Sequence, residues 1–267
     1  MDFAITRINA DPELMRKVWL QLTHFKDAIQ IPEKRKEELF AWAIDLTKKL
    51  MSVKYHRDNL LRILNEEFEK RSKATESTNV TVVDVSTGAE RELEAFLMQG
   101  KSSLDVLVKI FVPIFGIKIH TYGDGGNKVA KTLRGNLKVE QLVRAEHLLR
   151  LIEQDKEWIE KWFGARRDTV AHYKPIKSSG FVTPPIKDGI PRHAPPMTED
   201  GVPFHEVVVT LYENLLTFCE DFIALTVSIT FPPAFVIGVI PEDKRDKEDP
   251  LKYGYFFANP PTDTPAT

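Results

Sequence analysis

The residues best suited to chemistry stand together in Arg166-Arg167-Asp168-Thr169-Val170-Ala171-His172-Tyr173. Histidine takes or gives a proton near neutral pH. A guanidinium is planar, permanently charged and shaped to grip a phosphate. Spacing constrains how these groups can cooperate. At about 100° per residue on a straight helix, Arg167 and His172 point some 140° apart, so they share a face only if the helix ends nearby or the arginine curls round. Asp168 and His172 do share a face, and the carboxylate can orient the imidazole and favour its charged form. The structural reading of the same cluster is an ion-pair network at a helix C-terminus, where cations are favoured.

Other chemistries find less support. None of the seven histidines has a glutamate three residues before it. There is no His-Glu-x-x-His and no cysteine cluster, so neither a dedicated metal centre nor a cofactor is expected. The single cysteine, Cys219, lies in an apolar helical stretch and reads as a buried structural thiol. One cysteine excludes an internal disulfide framework and points to a reducing, cytoplasmic setting. Gly123-Asp124-Gly125-Gly126-Asn127 invites a phosphate-binding reading, but it lacks the Gly-x4-Gly-Lys-Ser/Thr pattern and a preceding strand. A flexible connection between two helices is the expectation there. Residues 116–140 still carry five basic residues against Asp124 and Glu140, making Lys128, Lys131 and Arg134 candidate contacts to phosphate or RNA.

The bulk properties narrow the class. The chain of 267 residues is 42% hydrophobic and 28% charged, ordinary for a globular protein with a sizeable core. A formal net charge of -2 gives no global reason to bind nucleic acid or an anionic membrane, so any such contact needs a local basic patch. Acidic and basic residues near the N-terminus interrupt the apolar run that a signal peptide needs. The longest apolar stretch, Val207 to Ile229, contains Glu213, Glu220 and Asp221, which fits a core helix better than a membrane span. No membrane association is expected.

These side chains must be positioned by helices. Asp11-Pro12-Glu13 reads as an N-cap, a first-turn proline and a first-turn acid, opening a helix to about Gln30. A second helix runs from Pro32 to about Arg71, with a stripe of Leu39, Trp42, Leu46, Leu50, Val53, Leu60, Leu64 and Phe68. A third, Ala89 to about Phe111, is interrupted by Gly100, which would let a neighbouring backbone approach. Gly116 to Leu137 reads as loop. The fourth and longest helix extends from about Val139 to His172, with Leu142, Leu149, Ile152, Ile159, Phe163 and Val170 on its buried side. Pro175 stops it, and a proline-punctuated excursion from Tyr173 to Gly201 follows. The fifth helix is Phe204 to Ile229. Short apolar runs at 80–83, 234–240 and 253–257 suggest peripheral strands, and 259–267 reads as disordered. The expectation is a mainly all-α chain, an antiparallel four- to five-helix up-and-down bundle with long loops. The bundle would occupy residues 1–230, its core about 33–230, with a C-terminal extension over 231–267.

Arg167 and His172, separated by four residues with a polar residue directly after the arginine, resemble the signature of HEPN domains. Glu94-Ala95-Phe96-Leu97-Met98-Gln99-Gly100-Lys101-Ser102-Ser103-Leu104-Asp105 resembles the acidic, aromatic and Ser-x-Leu-Asp pattern on a core helix of many such domains. The resemblance covers roughly residues 33–230. It implies a helical bundle and, in catalytic members, a metal-independent endoribonuclease. In that chemistry a ribose 2′-hydroxyl attacks the adjacent phosphate and leaves a 2′,3′-cyclic end. The resemblance implies His172 as acid/base, Arg167 as phosphate clamp and Asp168 as its neighbour. Arg166 and Tyr173 would be RNA contacts, in a site completed by a second copy of the chain. A toxin of this type would also have an antitoxin partner. Many HEPN-like domains are instead non-catalytic nucleotide- or protein-binding modules, and that alternative stays open.

Overall fold

The computed structural model describes residues 11–73, 81–83, 86–166, 181–183, 195–198, 201–246 and 250–258. The chain is mainly α-helical. Asp11 caps the first element by accepting from the Glu13 and Leu14 amides at 2.9 and 3.4 Å, with proline in the first turn. Helix α1 (Pro12–Leu14) passes through a π-helical turn (Met15–Leu20) into α2 (Gln21–His24). The helix stops at His24, not near Gln30. Phe25 and Ile29, both buried, continue as a turn in which Ile29 N–H bonds back to Phe25. Turning there sets the Phe25 ring against Phe231 at 5.5 Å.

Helix α3 (Glu33–Lys73) follows the expected stripe. Leu39, Leu46, Leu50, Val53, Leu60 and Leu64 are buried, whereas Trp42 is half-buried and Phe68 exposed. Strand β1 (Thr81–Val83) precedes α4 (Thr87–Leu107), which continues through a 3-10 turn (Val108–Ile110) into α5 (Phe111–Phe115). Gly116, at φ 71, ends this run in the left-handed conformation that glycine adopts without strain.

The stretch expected as loop contains a helix. After a 3-10 turn (Asp124–Gly126), α6 (Asn127–Asn136) buries Val129, Ala130 and Leu133. Its apolar stripe is only three residues wide and sits among lysines, which hides it from a hydropathy reading. The expected long fourth helix is also interrupted. It comprises α7 (Val139–Arg144), α8 (Glu146–Ile159) and a π-helical end (Glu160–Arg166). At the first break Ala145 is buried and Arg144 donates to the Phe231 carbonyl. The break rotates the buried side, so Leu148, Ile152, Ile159 and Phe163 are core while Leu142 and Leu149 are half-buried. Val170 and the expected disorder at 259–267 fall outside the described residues.

Strand β2 (Phe181–Thr183) pairs antiparallel with β1, Val82 facing Val182. Helix α9 (Phe204–Ser228) precedes β3 (Phe235–Val239) and β4 (Tyr253–Phe257), which form a second antiparallel pair. Thr81–Val83 therefore pairs with a segment of the proline-rich excursion, while the two C-terminal strands pair with each other.

The chain divides into two compact units. One comprises residues 1–48, 103–157 and 216–267, the other 49–102 and 158–215. In the first, Phe111, Tyr122, Phe218 and Phe222 form a buried ring cluster with centroid spacings of 5.4 to 6.4 Å. Buried Gln21 closes the edge of β4: its amide donates to the Tyr253 carbonyl at 2.9 Å and accepts from the Tyr253 amide at 3.0 Å. Nearby, Glu220 is buried with Lys17 at 4.0 Å. Burial raises its carboxyl pKa, and Lys17 opposes the shift.

Replacing Gln21 with leucine keeps the volume but orphans both backbone groups of Tyr253, each costing about 1–3 kcal/mol when buried. The urea midpoint of Gln21→Leu is expected to fall clearly; an unchanged midpoint would mean that water takes over both bonds.

Candidate functional site

The Arg166–Tyr173 cluster begins where the π-helical end of α8 stops. Arg166 is the last residue of that turn, and Arg167, Asp168, His172 and Tyr173 lie outside the described residues. Lys128, Lys131 and Arg134 are exposed on α6 at three-residue steps, one face of a short helix in the first unit.

The glycine turn before α6 has a packing role. Asp124, Gly125 and Gly126 take φ of 59, 56 and 92, a left-handed turn tight enough to begin the helix. A β-carbon on Gly126 would stand 2.5 Å from Tyr122 Oη and 2.6 Å from Ile152 Cγ2. Upstream, Asp105 of the Ser-x-Leu-Asp pattern accepts from the Tyr122 amide at 2.7 Å. The turn connects two helices, as expected, and forms a corner beside buried Tyr122.

The approach to the Arg/His cluster is built in the second unit. Phe163, fully buried, lies across Gly100 of α4. A β-carbon at Gly100 would overlap Phe163 Cε1 and stand 2.8 Å from Cδ1 and Cζ. Gly100 therefore admits an aromatic ring and not, as expected, a neighbouring backbone. From this seat the ring meets Phe96 at 6.2 Å and Trp158 at 6.0 Å, the latter pair close to perpendicular at 75°.

Trp158, Lys161 and Trp162 are spaced three and four residues apart, so they share one face of the helix leading into the cluster. They form one wall of a half-open cleft of about 330 Å3. Helix α9 forms the opposite wall with Glu206, Thr210 and Asn214, three exposed residues at four-residue steps. Val207 and Leu211, both buried, close its floor. Thr198 and Val202 also line the cleft, with Thr198 N–H bonded to the Val202 carbonyl at 2.9 Å. Lys161 Nζ stands 5.8 Å from the Trp162 ring centroid, within reach of a cation–π attraction. This cleft was not anticipated. The signal for it was the Trp-x-x-Lys-Trp spacing just before the double arginine.

Two further groups were not singled out by the sequence. His56 Nδ1 and Glu92 Oε2 are 2.7 Å apart in the second unit, each side chain about a quarter exposed (23% and 24%). Arg57 stacks over the ring of buried Tyr212 at 4.0 Å. Cys219 is fully buried, and desolvation, reinforced by Asp221, pushes its thiol pKa up, which disfavours a nucleophilic thiolate. Among the described residues no group of three or more His, Cys, Asp or Glu side chains is placed to hold a metal ion. Nor is any described helix long and apolar enough to cross a membrane.

No family model, curated protein or solved structure matches the chain. Its class rests on its own geometry: a mainly α-helical protein with an aromatic-walled cleft beside the end of α8.

Gly100→Ala tests the seat of Phe163. Alanine favours a helix interior by about 1 kcal/mol over glycine, whereas overpacking a core costs about 1–3 kcal/mol. Direct overlap with a ring places the cost at the upper end. Net destabilisation of about 1–2 kcal/mol is expected in urea unfolding, and a gain in stability would contradict the packing.

Proposed function

We propose that the chain is a HEPN-type, metal-independent endoribonuclease acting through Arg167 and His172. The observation that carries this reading is the packing of Phe163 on Gly100. It joins the two segments that carry the resemblance, the helix entering the Arg/His cluster and the helix bearing Glu94, Phe96 and the Ser-x-Leu-Asp pattern. In the proposed step His172 accepts the proton of a ribose 2′-hydroxyl as that oxygen attacks phosphorus. The 5′-oxygen then leaves with a proton from the partner copy's equivalent histidine. The bond formed closes a 2′,3′-cyclic phosphate. Arg167 balances charge on the phosphorane, and Asp168 orients the imidazole. Arg166 and Tyr173 contact the adjoining nucleotide, and Lys128, Lys131 and Arg134 offer a basic face for the strand. Two copies form an isologous site, an antitoxin is the natural restraint on such an activity, and the single cysteine suits the cytoplasm.

The aromatic cleft favours one alternative, a non-catalytic module that binds a nucleotide or a protein partner through the same unit.

Mixed RNA incubated with purified protein in EDTA, wild type beside His172→Ala, separates the two. Cleavage by the wild type alone, with cyclic-phosphate ends and a loss of at least about a hundredfold in the variant, is expected for a missing general acid/base. Intact RNA in both across a range of pH would overturn the ribonuclease reading and favour the binding module.

A further inference from the structure

We propose that the cleft between the end of α8 and α9 is a nucleotide-binding subsite, holding one base of single-stranded RNA. This deepens the ribonuclease reading and rests on it for the identity of the occupant. Four features of the cleft converge on that ligand chemistry.

Its volume of about 330 Å3 lies at the lower end of small-ligand sites, roughly 300–1,000 Å3, so it suits one nucleotide better than a larger cofactor. Two indoles a helical turn apart, Trp158 half-buried and Trp162 buried, line one wall. Ring faces of this kind hold bases by stacking, whatever the sequence. Opposite them, the Asn214 amide supplies a donor and an acceptor, Thr210 a hydroxyl and Glu206 an acceptor, enough to address the edge of a planar heterocycle. Neither Thr210 nor Asn214 makes a side-chain hydrogen bond among the described residues.

Charge gives the cleft a direction. Lys161 lies on the indole wall and offers a cation to the phosphate of a bound nucleotide. A base between the indoles and α9 would therefore turn its phosphate toward Lys161. The walls are fixed in advance. Trp158 is backed by Phe163, which is seated on Gly100, and the lining residues Thr198 and Val202 are tied to each other by a backbone hydrogen bond. A preformed cleft loses little freedom on binding.

The test uses the full-length chain in EDTA with three probes: AMP, inorganic phosphate, and a 2′-O-methyl RNA of about eight nucleotides, which binds without being cut. Indole fluorescence and calorimetry read binding. AMP should saturate, and inorganic phosphate at equal concentration should fail to displace it. Asn214→Leu and Lys161→Ala change exposed side chains and keep the fold, as judged by thermal unfolding. Each should weaken AMP about tenfold, and Trp158→Leu should weaken it further through lost stacking. Methylated RNA binding at least about tenfold tighter than AMP identifies a strand as the occupant; equal affinities identify a free nucleotide and overturn the RNA assignment. No saturation by AMP, displacement by phosphate alone, or wild-type affinity in all three variants would overturn the subsite.

The two readings fail separately. RNA cleavage with AMP affinity unmoved by the cleft variants removes the subsite and leaves the nuclease. AMP binding that the variants abolish, without cleavage by the wild type, keeps a nucleotide cleft and removes the nuclease.

Discussion

The second unit depends on the contact between Gly100 and the ring of Phe163. A glycine inside a helix costs about 1 kcal/mol relative to alanine. Burying a phenylalanine side chain recovers about 1.5–3 kcal/mol, and each well-placed ring pair adds about 0.5–1.5 kcal/mol. Phe163 is fully buried and meets both Phe96 and Trp158. Packing therefore outweighs helix propensity at this point. The missing β-carbon sets how closely the end of α8 approaches α4, and so the position of Trp158, which lines the cleft.

The first unit solves a different problem, the burial of polar groups. Gln21 satisfies both backbone groups of Tyr253 with a single side-chain amide, acting like one residue of an additional strand. Two short strands alone are marginal in water, so this attachment and the contacts of Tyr255 with Phe25 and Phe231 hold β3 and β4 in place. Glu220 is buried in the same region. Its raised pKa means that its contribution to stability is full below its unfolded value near 4.5 and is lost as pH rises through the folded value. Lys17 limits that loss by favouring the charged form.

Much of the fold was legible because long amphipathic helices announce themselves. Leu39, Leu46, Leu50, Val53, Leu60 and Leu64 of the expected stripe are buried, and the third helix buries Leu93, Phe96, Leu97, Leu104 and Leu107. What was hidden follows from particular physical causes. Helix α6 has a narrow apolar stripe among lysines. The break at Ala145 is set by tertiary contacts, including the bond from Arg144 to the Phe231 carbonyl. The pairing of Thr81–Val83 with Phe181–Thr183 joins segments far apart in sequence, and no local pattern encodes such a partner. The cleft was missed for a related reason. Its tryptophans were visible in the sequence, but Asn214 and Thr210 on α9 acquire meaning only once the two helices lie side by side.

The most direct measurement of the central contact is hydrogen exchange in Phe163→Ala beside the wild type. If the ring seated on Gly100 holds these helices together, amides in 96–102 and 158–166 should lose protection together, because removing the side chain leaves a cavity that both segments share. Unchanged protection in 158–166, with the ring gone, would contradict the account.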